Sequence, residues 1–168
     1  MAKLTTTLLI ATALLATSAC SKKRPAELPP APGPVTDQNG SGGQGAIVPG
    51  SRADFERSVT SNTVNFALDS YSLDDRARSI LDSQATWLAR YANVPVSLEG
   101  HADERGTREY NLALGDRRAL SAKNYLAARG VAPGRISTIS YGKERPIALG
   151  SDEASWAQNR RAVTIVLN

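Results

Sequence analysis

The sequence predicts an α+β domain in which two helices pack on one face of a four-stranded mixed sheet, in the chain order β-α-β-α-β-β. Two kinds of apolar spacing carry that expectation. Val64, Phe66 and Leu68 alternate with Asn65 and Ala67, and Val163, Ile165 and Leu167 alternate near the C-terminus, which is the period of a strand with two distinct faces. Between them, Leu73, Ala77, Ile80, Leu81, Leu88 and Tyr91 keep helical spacing, as do Leu114, Ala122 and Leu126. Placing both helices on one face of the sheet is the economical way to bury their apolar stripes.

Taken in order, the first strand is expected to break at Asp69-Ser70. Ser72, with Asp75 three residues on, fits an N-cap for a helix running to about Ala92, where Asn93 and Pro95 stop it. Val96 and Leu98 form a second strand that delivers Gly100, His101, Ala102 and Asp103 at its C-terminal end. Thr107 is placed to cap the next helix, with Glu109 in its first turn, and Gly130 to end it. Ile136 and Ile139 mark a third strand ending at Tyr141-Gly142, and Ser151 to Gln158 reads as a short irregular segment before the last strand. The order of strands within the sheet does not follow from these patterns.

The domain is expected over residues 51–168, behind two different segments. Residues 1–19 read as an export signal: Lys3 is followed by an apolar run from Leu8 to Ala16 and then by Thr17, Ser18 and Ala19. That run is too short to span a bilayer, which takes about 20 residues. The only cysteine, Cys20, follows directly, so no internal disulfide and no cysteine-rich metal site is available. The arrangement resembles a bacterial lipobox, in which the cysteine is lipidated. Thr17 stands where leucine is usual, and Ser21, rather than Asp, after the cysteine implies delivery to the outer membrane. Residues 20–50 are rich in Pro and Gly with few large apolar groups, the composition of a linker that cannot offset its ordering entropy. Fully extended, about 30 residues reach on the order of 100 Å.

Composition also excludes some functions. The net charge of +4 is spread over interleaved acids and bases, and aromatic residues are only 5% of the chain. Neither suits a nucleic-acid interface, which concentrates basic groups beside stacking rings.

The stretch from Glu99 to Ala119 holds the candidate chemistry. Arg118 lies four residues after Leu114 and four before Ala122, on the core-facing stripe, whereas Arg117 points about 100° away. A guanidinium there needs a partner. Either it forms a structural ion pair with Asp103, Asp116 or Asp69, or it grips a ligand carboxylate through its planar fork. Asp103, at the end of the second strand, is placed to take an ammonium. His101 is the only histidine and is expected to be a satisfied structural residue, since zinc would lack ligands and a catalytic dyad would lack a strained nucleophile. Glu104 and Arg105 are expected in a solvated turn reversed by Gly106. Tyr110 and Tyr125 are expected in the core, and Arg160 and Arg161 either pair with acids or rim a pocket.

The ordered run GHADERGTREYNLALGDRRA, then AxxYLxxxGV, SYGKERP and NRRAV, resembles the peptidoglycan-associated lipoproteins, a family with OmpA-like peptidoglycan-binding domains. The resemblance covers about residues 60 to 168. It implies a non-enzymatic protein, without cofactor or metal, that binds the meso-diaminopimelate of the peptidoglycan stem peptide. Asp103 would meet its ammonium, Arg118 its carboxylate, and Asp69 would border the pocket. Leu68 stands where relatives carry an aromatic residue. The resemblance further implies lipid on Cys20 in the outer membrane, TolB and other Tol proteins as partners, and a part in division constriction. An amidase acting through His101, and an interaction module that binds partners but no glycan, are the competing readings.

Overall fold

The computed structural model describes residues 47–167. The expected export segment, Cys20 and most of the linker lie outside the described residues. The elements follow as α1 (Arg52–Ser58), β1 (Thr63–Asn65), α2 (Asp75–Arg90), β2 (Val96–His101), α3 (Arg108–Ala128), a 3-10 turn (Pro133–Arg135), β3 (Ile136–Gly142), α4 (Glu153–Asn159) and β4 (Arg161–Val166). The sheet order is β1-β4-β2-β3. The last strand lies antiparallel between β1 and β2, and β2 pairs in parallel with β3. Parallel neighbours need a crossover, and α3 supplies it.

The two long helices bury Ile80, Leu81, Trp87 and Leu88 from α2, and Ala119, Ala122 and Leu126 from α3. They pack against Val64, Val96, Leu98, Ile136, Ala162 and Val166 of the sheet. Each fully buried leucine contributes about 1.5–3 kcal/mol, so this single layer of contacts supplies most of the driving force. Within the core, the Gln84 amide is bonded at both ends: its Nε2 donates to the Ser61 carbonyl at 2.8 Å and its Oε1 accepts from Thr164 Oγ1 at 2.7 Å.

One contact sets the position of α3. A Cβ on Gly100 would lie 1.8 Å from the Gly115 carbonyl oxygen, so helix and strand backbones touch with no side chain between them. This close approach pins the middle of α3 over the C-terminal end of β2. Arg118, one turn beyond Gly115, therefore lies beside His101.

Several expectations need correction. Residues 153–159 form α4, not an irregular segment; Asp152 caps it by accepting from Ser155 N at 2.9 Å. The short α1 buries only Phe55, edge-on to Trp87 at 5.0 Å, too little for a periodic signal. Helix α2 is capped by Asp74, which accepts from Ala77 N at 2.7 Å, not by Ser72, and it ends at Arg90. Strand β1 pairs only over Thr63–Asn65, so Leu68 is not part of the strand and is 59% exposed. In β4, beyond Arg161, the buried positions are Ala162, Thr164 and Val166, while Val163 and Ile165 are only partly covered. Apolar residues of both parities occur there, so alternation alone could not tell which face meets the helices.

Candidate ligand-binding site

Three separated segments converge at the C-terminal end of β2. The first is the turn after the strand. Ala102 N donates to the Gly142 carbonyl at 2.8 Å, which carries the β2–β3 pairing one residue past the strand. Asp103 then opens a tight turn: its Oδ1 accepts from Arg105 N at 3.1 Å, and Gly106 reverses the chain at φ +88°. Asn111 Nδ2 from the first turns of α3 donates to the Arg105 carbonyl at 2.7 Å and fixes the turn against the helix. Thr107 caps α3 as expected, accepting from Tyr110 N.

The second segment is α3 itself, through Arg118, which is 0% exposed. Its Nε donates to the Ser70 carbonyl at 2.8 Å, Nη1 to the His101 carbonyl at 2.8 Å and Nη2 to the Ala67 carbonyl at 3.2 Å. Among the described residues it forms no ion pair with Asp103, Asp69 or Asp116, so of the two alternatives the structural ion pair is not formed, and three carbonyls take its place. Ala67 and Ser70 lie in the loop after β1, and His101 ends β2, where its buried carbonyl needs a donor. Burial pushes the Arg118 pKa down to about 10; Asp103 and Asp69 oppose that fall and Arg160 adds to it. The group stays charged at neutral pH. Arginine carries five N–H donors, so donors on both terminal nitrogens remain beyond the three carbonyl contacts.

The third segment is the loop after β1. Asp69 takes a left-handed conformation, φ +53°, uncommon for a residue with a side chain though tolerated by Asp. Its carboxylate accepts a hydrogen bond from the Tyr110 hydroxyl across the mouth of the site. Leu68, Asp69, Asp103, Arg105, Gly106, Tyr110, Asn111, Leu114 and Arg118 together line an open cleft of about 350 Å³. The three predicted residues, Asp69, Asp103 and Arg118, are thus brought to one place.

With the geometry in hand, relatives can be compared. The OmpA family model matches residues 65–160, from the end of β1 to the start of β4. A peptidoglycan-associated lipoprotein of Rhizobium meliloti is 50% identical over 153 residues, covering 90% of this chain and 82% of the relative. The chain belongs to the peptidoglycan-associated lipoproteins of the OmpA family. A second member, from Agrobacterium fabrum, is 47% identical over 92% of this chain and 84% of its own. The crystal structure of the peptidoglycan-associated lipoprotein from Burkholderia pseudomallei superposes with a TM-score of 0.62 at 44% identity, over 63% of this chain and 90% of that one. The α+β fold with two long helices on a mixed sheet is therefore the fold of this family.

In this member of the family, sequence reasoning missed part of the site. Arg105 is not simply solvated: its guanidinium clamps Asp103, with Nη2 to Oδ2 at 2.7 Å and Nε to Oδ1 at 3.2 Å. Burial raises the Asp103 pKa, but the hydrogen bonds from Arg105 and Arg160 and the Arg105 charge outweigh it and hold the carboxyl below its ordinary value. Arg160 takes the acid-pairing role, reaching Asp103 at 3.4 Å and Glu153 at 2.6 Å. Arg161 instead donates to the carbonyls of Asn159 and Arg145. Tyr110 is 49% exposed at the cleft, not in the core, whereas Tyr125 does pack against the core. The asparagine-like turn opened by Asp103 was a signal for Arg105; α4, which brings Trp156 and Glu153 to it, left none.

His101 also differs from expectation. Its ring is 2% exposed and lies near Tyr141 at 5.5 Å, yet neither ring nitrogen has a hydrogen-bond partner among the described residues. Glu99 Oε2 lies 3.9 Å from Nε2, beyond hydrogen-bond reach. Burial, with the charges of Arg161 and Arg145, pushes the imidazole pKa down to about 4. Its backbone carbonyl, not its ring, serves the site.

Proposed function

We propose that the chain is an outer-membrane lipoprotein, lipidated at Cys20, that binds peptidoglycan noncovalently and so ties the membrane to the wall. The ligand is the free zwitterionic end of the meso-diaminopimelate in the stem peptide. Asp103 takes its ammonium, Arg118 its carboxylate through the remaining guanidinium donors, and Asp69 borders the mouth. One observation carries this reading: two carboxylates and a buried guanidinium, from three separated segments, meet in a single open cleft. The names of the relatives point the same way. Opposite charges lining one cleft match an amino acid's own head group, and a site of fixed charges binds without needing to react. As in the wider family resemblance, TolB and other Tol proteins are the expected partners, and division constriction the expected setting.

Sedimentation with purified sacculi tests the reading. Asp103→Asn and Arg118→Lys are expected to weaken binding by about 2–5 kcal/mol, the range for truncating one partner of a buried charge pair. Parent-like binding by both folded variants would overturn the assignment, and release of soluble fragments by the purified protein would indicate an amidase instead. A Cys20→Ser variant is expected to leave the membrane fraction.

A further inference from the structure

The ammonium expected at Asp103 has a competitor within the protein. Arg105 holds both carboxylate oxygens, at 2.7 and 3.2 Å, while Arg160 Nη1 reaches Oδ2 at 3.4 Å. One negative charge flanked by two guanidinium groups attracts a further cation weakly unless one of them leaves. Arg160 is not free to go. Its side chain is 7% exposed, its Nε donates to the Phe66 carbonyl at 3.1 Å and its Nη2 is paired with Glu153 at 2.6 Å.

Arg105 is differently placed. Its side chain is 35% exposed and lines the cleft. It also has a second berth: its guanidinium carbon lies 4.0 Å from the centre of the Trp156 ring, and Nη1 lies 3.9 Å from Glu153 Oε2. Trp156 is itself held in place, with Nε1 donating to Glu104 at 2.9 Å. The guanidinium can therefore turn away from Asp103 without losing the ring beneath it. Arg118, by contrast, has no exposed surface, so Arg105 is the cation that an entering carboxylate meets first.

We propose that Arg105 is an exchangeable counter-ion that makes the cleft selective for a zwitterion over a plain amine: the ligand's ammonium displaces it from Asp103, and the released guanidinium, still over Trp156, joins Arg118 on the ligand's carboxylate. The proposal rests on the diaminopimelate reading above. The exchange turns one internal pair into two ligand pairs and strands no charge. An amine without a neighbouring carboxylate also displaces Arg105 but offers it nothing in return, and this difference is the source of selectivity. Arginine suits the task because its planar fork meets a carboxylate at two points and stacks on an aromatic face.

The test compares two synthetic stem tripeptides, alanyl-γ-glutamyl-diaminopimelate and the same peptide ending in lysine, which lacks that carboxylate. Calorimetric titration of the parent is expected to favour the diaminopimelate peptide. Arg105→Ala is expected to bind that peptide about tenfold or more weakly, the worth of a charge-assisted contact, while binding the lysine peptide at least as well as the parent. Asp103→Asn is expected to lose both. An unchanged preference in Arg105→Ala, or an equal loss of both peptides, overturns the exchange while leaving the diaminopimelate reading in place. A parent that binds neither peptide removes that reading and this one with it.

Discussion

Arg118 and His101 meet through a buried 2.8 Å hydrogen bond from guanidinium to main-chain carbonyl, while the ring of the same histidine makes no hydrogen bond among the described residues. One residue is tied to the site through its backbone, and its imidazole is buried without a polar partner among the described residues. Arg118 joins that carbonyl to those of Ala67 and Ser70, so it holds the loop after β1 against the end of β2.

Replacing Arg118 should therefore cost stability as well as binding. Arg118→Met is close in length and apolar, but leaves three carbonyls, that of His101 fully buried, without their donor. A loss of about 3–5 kcal/mol is expected in urea unfolding. A loss under 1 kcal/mol would show that water replaces the guanidinium readily.

The unbonded His101 ring predicts a pH dependence. Its folded-state pKa of about 4 lies below the ordinary 6.5, so as pH falls the unfolded chain binds the proton first. The contribution is fully present above about pH 6.5 and is lost between there and pH 4, by at most about 3 kcal/mol. Asp103, also depressed, acts in the same direction at still lower pH. His101→Leu, similar in volume, should flatten the stability curve between pH 7 and 4, measured by urea midpoints across the range.

Gly100→Ala should be among the most damaging small substitutions. The added methyl would meet the Gly115 carbonyl, which is backbone and cannot swing aside. A loss of about 3 kcal/mol is expected, with the sacculus binding of the remaining folded protein reduced because α3 carries Arg118. A parent-like melting temperature would contradict the close approach of α3 and β2.

Arg135 should act as a clamp on the end of α2. Its guanidinium donates to the carbonyls of Leu88, Tyr91 and Val94, at 3.2, 2.7 and 2.8 Å, the acceptors that a helix C-terminus leaves over. Arg135→Ala is expected to lower stability by about 2 kcal/mol without altering ligand affinity, since the residue lies away from the cleft. Urea unfolding and the tripeptide titration together check both halves.

Local chemistry made much of the domain legible. Helical phase separated Arg118, which is buried, from Arg117, which is exposed beside Tyr71 at 5.8 Å. Thr107 and Gly130, the latter at φ +94°, mark the ends of α3 as their side-chain chemistry requires. Asp103 could be singled out by its place at the end of a strand beside the start of α3, whereas Asp69 is placed at the pocket only through the family resemblance.

By itself the sequence determined the two long helices, the Thr107 cap and the inward phase of Arg118, since each depends on neighbours within a turn or two of chain. Only the tertiary structure decided the insertion of β4 between β1 and β2, the carbonyl partners of Arg118, and the meeting of Arg105 with Asp103 and Trp156. The physical reason is that backbone groups left over at strand and helix ends must be satisfied from distant segments. Which donor reaches them depends on packing, and packing leaves no period in the chain.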